Sequence, residues 1–400
     1  MLLSFKIKNF RSFKDEQEIS FILNKNDHID PERRFEVNTK NGKVSILKNA
    51  VIYGANASGK TNILLALQTL SRIIMNPTSN DNERLLLESF AFNRDNTRFE
   101  IEFLRENIIF KYHLEYNYEE IVHERLHKDG AMIFKRDYQE FVFPDLDVAV
   151  ENLLKTVRCT GLLLFFAQNY NVKDAKDAFS WFFDFFHTSS EKVIELLKFD
   201  KHFKEKVLYA LQFADFNILD IEIEEGQHEH GASYAVNARN EIVSLSKEAM
   251  AIYFIHENNG EKFRMSFRNE SEGTKIYFGI ILSLLNPEKV YGSCIFIDEL
   301  DLSLHKQLTS SLLRLLNSQN NNIQLISTSH DSSLMDLLKP HQIYFVEKNV
   351  EGESKIFKLS EFDDISNDDK YASEYEDGLY GADQIINDAG LMSILGGYDE

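Results

Sequence analysis

Several residue types that mark particular protein classes are scarce in this sequence. Among its 400 residues are one Trp, two Cys and five Pro. Cys159 and Cys294 lie far apart in apolar surroundings, so no disulfide framework is expected and a reducing cytoplasm fits. The longest apolar runs, residues 161–167 and 276–285, fall short of the roughly 18–20 residues of a membrane span. The first residues alternate like a strand rather than resembling a signal peptide.

Basic residues are also in deficit. The sequence has 44 Lys and Arg against 64 Asp and Glu, a net charge of −20. Residues 351–400 hold 14 acidic and three basic residues. Wrapping of nucleic acid requires clustered positive charge and is therefore disfavoured. The composition does not exclude a local basic groove. The acidic tail is interpreted as a solvated surface, or alternatively as a docking segment for a basic partner.

Hydrophobic patterning predicts an α/β protein whose strands lie on both sides of a helical insertion. Alternation predicts strands near the start and between residues 97 and 135, and helical periodicity dominates residues 148–214. The predicted organisation is an N-terminal part of the main domain over 1–147, a helical insertion over 148–214, a C-terminal part of the same domain over 215–360 and an acidic tail over 361–400. The insertion holds an aromatic patch, interpreted as core or as an exposed contact surface: Phe179, Trp181, Phe182, Phe183, Phe185 and Phe186.

The strongest chemical signal is a glycine-rich loop between an apolar strand and an amphipathic helix. It reads Gly54-Ala55-Asn56-Ala57-Ser58-Gly59-Lys60-Thr61 and matches GxxxxGK[ST]. Its glycines let successive backbone N–H groups face phosphate oxygens, and the helix N-terminus adds positive potential. Lys60 is expected to contact the β- and γ-phosphates, and the Thr61 hydroxyl to ligate Mg²⁺. The pattern therefore predicts binding of ATP with Mg²⁺.

A second signal is the apolar run from Cys294 that ends in Asp298 and Glu299. A buried parallel strand would deliver both acids to its carboxyl edge, where open α/β sheets bind ligands. Asp298 is expected to hold Mg²⁺ through water, and Glu299 to orient and deprotonate the attacking water. The alternative is a buried strand that ends at a solvated turn.

Two weaker signals follow the same logic. Ser271 and Gly273 open an apolar helix, and His330 follows a further buried strand. A second anion-binding helix start suggests a nucleotide held between two subunits, so that Ser271 and Gly273 would contact ATP bound to the other subunit. His330 could donate a hydrogen bond to the γ-phosphate and sense its loss. The alternatives are an ordinary helix cap and a structural histidine.

The order of these motifs resembles that of ABC-type ATPases, in the branch of SMC, RecF and OLD proteins. Asn56, Asn62, the opening Asn9-Phe10-Arg11-Ser12-Phe13 and the run from Asp298 to His305 are typical of that branch. Three further segments look like the AbiL/RloA type of abortive-infection ATPase: Glu124-Arg125-Leu126 with Phe134-Lys135-Arg136, Ala214-Asp215-Phe216-Asn217-Ile218, and Tyr375-Glu376-Asp377-Gly378-Leu379-Tyr380-Gly381-Ala382.

The resemblance implies a P-loop ATPase head with a mixed central sheet, flanking helices and an antiparallel β subdomain. It also implies a homodimer, or a higher oligomer, that forms around ATP and gates a separately encoded nuclease or toxin in anti-phage defence. The rival interpretation is an ATPase of genome maintenance that acts on DNA directly. Steady-state ATPase measurements with and without DNA would separate the two.

Two departures from the family pattern matter. No glutamine stands convincingly where the glutamine loop is expected, and the region 88–93 is its nearest candidate. Only 70 residues follow His330, too few for the Toprim nuclease domain of OLD proteins. Two small polar clusters are interpreted as solvated turns rather than metal sites: His228-Glu229-His230, and Asp363, Asp364, Asp368 and Asp369.

Overall fold

The computed structural model describes residues 1–27, 29–78, 80, 83–186, 191–214, 216–225, 234–236, 242–244, 250–286, 293–301, 304–363, 365 and 370–382. In these residues the strands are β1 (Leu2–Lys8), β2 (Gln17–Ser20), β3 (Ile22–Leu23), β4 (Arg34–Thr39), β5 (Gly42–Leu47), β6 (Asn49–Tyr53), β7 (Thr97–Arg105), β8 (Ile108–Tyr116), β9 (Ile121–Lys128), β10 (Ala131–Asp137), β11 (Glu140–Val142), β12 (Asp220–Glu225), β13 (Tyr234–Val236), β14 (Ile242–Ser244), β15 (Met250–Asn258), β16 (Glu261–Ser266), β17 (Ser293–Ile297), β18 (Ile323–Thr328), β19 (Ile343–Lys348) and β20 (Ser354–Lys358).

The helices alternate with these strands in the second half of the chain and cluster between β11 and β12. They are α1 (Lys60–Met75), α2 (Val148–Leu154), α3 (Leu163–Asn169), α4 (Lys173–Phe186), α5 (Glu191–Phe199), α6 (Lys201–Phe213), α7 (Glu272–Leu285), α8 (Lys306–Leu316) and α9 (Tyr371–Glu376). Across the described ranges, no helix is both long and apolar enough to cross a lipid bilayer.

The central sheet has the strand order β17-β18-β6-β19-β20. The first four strands are parallel, and β20 joins β19 antiparallel. Alternate residues of β6 face different cores, with Ala50 and Ile52 in one and Val51 and Tyr53 in the other. A sheet buried on both faces needs apolar residues at nearly every position. The strands of the central sheet are therefore nearly continuous apolar runs in the sequence.

Core 1 lies between one face of the central sheet and a large antiparallel sheet of order β11-β10-β9-β8-β7-β1-β2. Helix α1 crosses this core and buries Ile63, Leu67 and Leu70 on the stripe that the sequence predicts. Core 2 lies on the opposite face and contains α7, α8 and α9. The predicted α/β class, with a mixed central sheet and a separate antiparallel sheet, is confirmed.

The helical segment 148–214 contributes to both cores. Helices α3 and α4 pack in core 1, where Trp181 stacks on Phe103 at 4.4 Å between ring centroids. Helices α5 and α6 pack in core 2 through residues such as Val193 and Val207. In the aromatic patch of α4, Trp181 and Phe182 are therefore core residues, whereas Phe183 is 49% exposed.

A buried charged pair attaches the helical segment to the antiparallel sheet. Glu124 and Arg136 face each other across β9 and β10, and both are fully buried. The Glu124 carboxylate accepts hydrogen bonds from the N–H groups of Leu163 and Leu164 at the start of α3, at 2.7 and 2.8 Å. The Arg136 guanidinium donates to carbonyls between residues 158 and 161. Burial raises the pKa of Glu124 and lowers that of Arg136, so each charge depends on the other.

This arrangement makes Arg136 a strong test of the attachment. We expect Arg136→Ala to lower the free energy of unfolding by about 3–5 kcal/mol, because it leaves the buried Glu124 carboxylate without an opposite charge. Lys135→Ala on the solvated face of the same strand should cost less than about 1 kcal/mol. Denaturant titration followed by fluorescence of Trp181, the only tryptophan, reports on core 1. Equal losses for the two variants would contradict the anchoring role.

Candidate functional site

The parallel strands bring most of the predicted site residues to one edge of the central sheet. Strand β6 ends at Tyr53 before Gly54, β17 ends before Asp298, and β18 ends two residues before His330. Because β18 lies between β6 and β17, its last residue stands between the glycine-rich loop and the acids. The predicted convergence at the carboxyl edge is what the structure shows.

The loop that follows β6 takes a backbone path that requires glycine at two positions. Gly54 has φ 148°, and a Cβ there would lie 2.2 Å from the Val346 carbonyl oxygen. Gly59 has φ 113°, and a Cβ there would meet the hydroxyls of Ser12 and Ser354 at 2.6 Å. Any side chain would push the loop off its support. Gly59 also forms the start of α1, whose first backbone N–H groups form the anion-binding end of the helix.

Lys60 occupies the loop as a largely desolvated cation. Its side chain is buried, and its Nζ donates to the carbonyl oxygens of Gly54 at 2.7 Å and Ala55 at 3.1 Å. Burial lowers the pKa of Lys60 to about 8, and the carboxylates of Asp298 and Glu299 oppose this shift. Phosphate oxygens would restore a strong partner to this ammonium group.

The other loop residues surround the curled backbone. Asn56 and Ala57 are exposed, and Ala57 has φ 61°. Ser58 is buried, and its hydroxyl has no hydrogen-bond partner among the described residues. Asn62 donates to the Ser12 hydroxyl at 2.8 Å, which ties α1 to the turn after β1.

The Thr328 hydroxyl connects the two acids at the end of β17. It donates to Asp298 Oδ1 at 2.5 Å and accepts from the Glu299 N–H at 2.7 Å. On the other side, the Thr61 hydroxyl donates to the same Asp298 oxygen at 3.4 Å. Glu299 has φ 52°, an uncommon conformation for this residue type that is often found at functional sites.

His330 lies exposed just beyond this cluster. Its backbone N–H donates to Asp301 Oδ1 at 3.0 Å, and the preceding Ser329 N–H donates to the Ile52 carbonyl at 3.1 Å. The backbone at His330 is thus held between the segment after the acids and the strand that leads to the loop. Its role toward a γ-phosphate stays a prediction.

Ser271 and Gly273 lie apart from the loop. Helix α7 packs in core 2, on the opposite face of the central sheet from α1. The exposed Ser271 caps its own helix, and its hydroxyl accepts from the Thr274 N–H at 3.1 Å. Among the contacts of the described ranges, no hydrogen bond joins Ser271 or Gly273 to the loop. A contact with nucleotide on another subunit stays a prediction.

The oxygen donors present fit Mg²⁺. Hydroxyl groups of Thr61 and Thr328 converge on the Asp298 carboxylate, and hard oxygen ligands supplemented by water and phosphate are what this ion prefers. In the described ranges, no group of three or more His, Cys, Asp or Glu residues could hold a metal, so the ligands here would include hydroxyl groups. His228, Glu229 and His230 lie outside the described residues, as do Asp364, Asp368 and Asp369.

Sequence reasoning missed the residues that support the loop from behind. The Ser354 hydroxyl donates to the Ser58 carbonyl, and the Ser354 N–H donates to the Ser12 carbonyl at 2.7 Å. These partners are separated by up to 342 positions in the chain, so no local pattern announces them. Thr328 is easier to predict from the sequence, because it ends a buried strand two residues before His330.

The region 88–93, the nearest candidate for the glutamine loop, contains no glutamine and contacts the turn after β1. The Glu88 carboxylate accepts from Arg11 Nε at 2.5 Å, and the side chains of Asn93 and Asn9 exchange hydrogen bonds at 2.9 Å. Within this turn, Asn9 and Arg11 have φ 52° and 50°. This segment is therefore connected to the loop through Ser12, although it supplies no identified ligand.

Comparison with solved structures gives similarities of fold only. One match is the SMC head domain from Thermotoga maritima, with 15% identity, a TM-score of 0.39 and coverage of 89% of this chain and 98% of that chain. Another is an SMC head bound to the C-winged helix domain of ScpA, with 13% identity, a TM-score of 0.43 and coverage of 89% and 97%. No curated protein sequence matches significantly.

A family model gives the stronger result. The model described as "AAA domain, putative AbiEii toxin, Type IV TA system" matches residues 50–336, a span that begins in β6 and ends after His330. It includes the glycine-rich loop, the acids and the segment of Ser271. Because this match covers well over half of the chain, the protein belongs to this AAA domain family.

Proposed function

We propose that this protein is a Mg²⁺-dependent ATPase that dimerises around ATP and regulates a separately encoded effector in anti-phage defence. The observation that carries the ATPase assignment is the meeting of Thr61, Thr328 and Asp298 beside the loop that contains Lys60. A phosphate cradle, an oxygen-rich cation site and a second carboxylate together suit phosphoryl transfer to water.

Each residue has a distinct task in the proposed reaction. The loop N–H groups and Lys60 would bind the phosphates, and Thr61 and Asp298 would hold the cation. Bound Mg²⁺ would neutralise charge on the phosphate oxygens. Glu299 accepts a proton from the attacking water, and His330 donates a hydrogen bond to the γ-phosphate. Thr328 holds the Asp298 carboxylate and the Glu299 backbone in place.

The separation of the two predicted anion-binding helix starts supports the proposed dimer. Helices α1 and α7 lie on opposite faces of the central sheet, so one subunit offers two partial sites. In a head-to-tail pair, Ser271 and Gly273 of one subunit would cover ATP held by Lys60 of the other, which gives closed two-fold symmetry.

The defence role rests on resemblance to AbiL/RloA proteins and on the family's description, which names a toxin–antitoxin system. The effector would be a nuclease or toxin encoded separately. The alternative, genome maintenance on DNA, is less favoured because the chain carries a net charge of −20. ATPase assays with and without DNA separate the two, since only the alternative requires stimulation by DNA.

The first variant tests the loop. Lys60→Ala should weaken ATP binding by about 100-fold, because charge-assisted bonds to phosphate are lost. In the wild type, affinity should fall as the pH rises above 8, since the pKa of Lys60 is about 8 in the free protein and ATP favours its protonated form. Calorimetric titration measures both effects, with the exposed Lys43→Ala as control. Unchanged affinity in folded Lys60→Ala would refute the assignment.

The second variant separates binding from hydrolysis. Glu299→Gln should bind ATP normally but lower turnover by about 100-fold or more, because the base is lost. Trapped ATP should then raise the assembled fraction seen by light scattering. The exposed Glu351→Gln serves as the matched control. Turnover equal to the wild type would show that Glu299 is not the base.

The third experiment tests the composite site. Lys60→Ala and Ser271→Arg proteins should each be inactive, yet mixing them should restore up to roughly a quarter of wild-type ATPase activity. Half of the exchanged dimers are mixed, and each mixed dimer gathers both lesions in one site and leaves the other intact. Exchange is verified with tagged chains. If subunits exchange but ATPase activity does not return, crosslinking with ATP between cysteines placed near Ser271 and Gly54 separates two explanations. A crosslink would mean that the two sites work only together, and no crosslink would mean that Ser271 does not contact the other subunit's nucleotide.

A further inference from the structure

Helix α9 contacts the chain segment that follows His330. That segment is a 3₁₀ turn over Ser332–Leu337. The Ser332 hydroxyl donates to Glu376 Oε1 at 2.5 Å, and the Ala372 N–H donates to Asp336 Oδ1 at 3.0 Å. Two polar contacts thus join opposite ends of α9 to the turn that begins two residues after His330.

The other side of α9 is anchored under the glycine-rich loop. Tyr371, Tyr375 and Tyr380 are buried in core 2. The Tyr375 ring stacks on Phe345 at 5.4 Å and lies against Tyr53 at 6.4 Å between centroids. Since Tyr53 immediately precedes Gly54, the same short helix contacts both the base of the loop and the turn after His330.

The Tyr53 side chain meets α9 through its ring, which lies against the Tyr375 ring. The Tyr53 hydroxyl is buried and has no hydrogen-bond partner among the described residues. Burial raises its pKa, and the carboxylates of Asp301 and Asp331 add to the shift. On this side α9 meets Tyr53 through aromatic rings, whereas on the other side two hydrogen bonds join α9 to the turn after His330.

His330 is therefore constrained from two directions. Its own N–H is bound by Asp301, and Ser332, two residues later, is bound by Glu376. Neither contact involves the predicted phosphate-binding groups. The first holds the His330 backbone directly, and the second holds the Ser332 side chain two residues further along the same segment.

We propose that segment 371–382 is a positioning element for His330, with Glu376 acting through Ser332, and that it moves when the γ-phosphate is bound or lost. This inference rests on the proposed ATPase function. It assigns to the C-terminal segment the task of carrying the nucleotide state from the site to the surface, where Asp377 and Leu379 are exposed.

Kinetics of three variants test the positioning role. Glu376→Ala should lower kcat about five- to tenfold with the Kd for ATP within about twofold of wild type, because one hydrogen bond to the turn is lost while the loop is intact. Glu376→Gln should recover most of the loss, since its amide oxygen still accepts from Ser332. Asp377→Ala, the neighbouring exposed acid, should match the wild type.

Because Ser332 and Glu376 contact each other, the effects of their substitutions on kcat should not add. Ser332→Ala should reproduce the loss, and the double variant with Glu376→Ala should be no slower than either single variant. A kcat for Glu376→Ala equal to that of Asp377→Ala would overturn the inference. So would a loss that appears in the Kd for ATP instead of kcat.

A second measurement does not depend on turnover. Amide hydrogen exchange of residues 371–376 should change when a non-hydrolysable ATP analogue binds, and this change should be lost in Glu376→Ala. A wild type that binds the analogue without any change there would refute the positioning element. A wild type that shows the change but hydrolyses no ATP would refute the ATPase proposal and leave the coupling supported.

Discussion

The site depends on a single buried hydroxyl, that of Thr328, which holds Asp298 and the Glu299 backbone at the end of the neighbouring strand. Because β18 separates β6 from β17, the loop and the acids stand two strands apart, about 10 Å at the usual spacing. The side chains span this separation, since the Thr61 hydroxyl at the end of the loop lies 3.4 Å from Asp298 Oδ1.

Local chemistry explains which parts of the site could be predicted from the sequence. Lys60, Asp298 and His330 each follow a buried parallel strand, and parallel strands end at one edge. Their convergence therefore follows from patterning alone. Ser12 and Ser354 could not be found in this way, because their contacts with the loop join positions 50 and 296 residues apart. Only the folded sheet brings such partners together.

The helical segment shows the same limit at the level of the fold. Periodicity identifies apolar stripes on helices such as α4 and α6. It carries no information about which core each stripe enters, and the structure divides these helices between core 1 and core 2. Glu124 and Arg136 attach α3 to the antiparallel sheet, and in the sequence they stand out only through the family resemblance. Their pairing across two strands supplies the physical reason for both charges.

The two halves of the site differ in how they are supported. Buried hydroxyls of Ser12 and Ser354 lie against the glycine-rich loop, and Gly59 leaves no space between loop and support. The half that contains His330 depends instead on contacts of Asp301 and Glu376 near the surface. Regions with few buried contacts open at lower free energy than packed ones. A change near His330 should therefore reach the surface contacts of α9 at a lower free-energy cost than it would reach the buried supports of the glycine-rich loop.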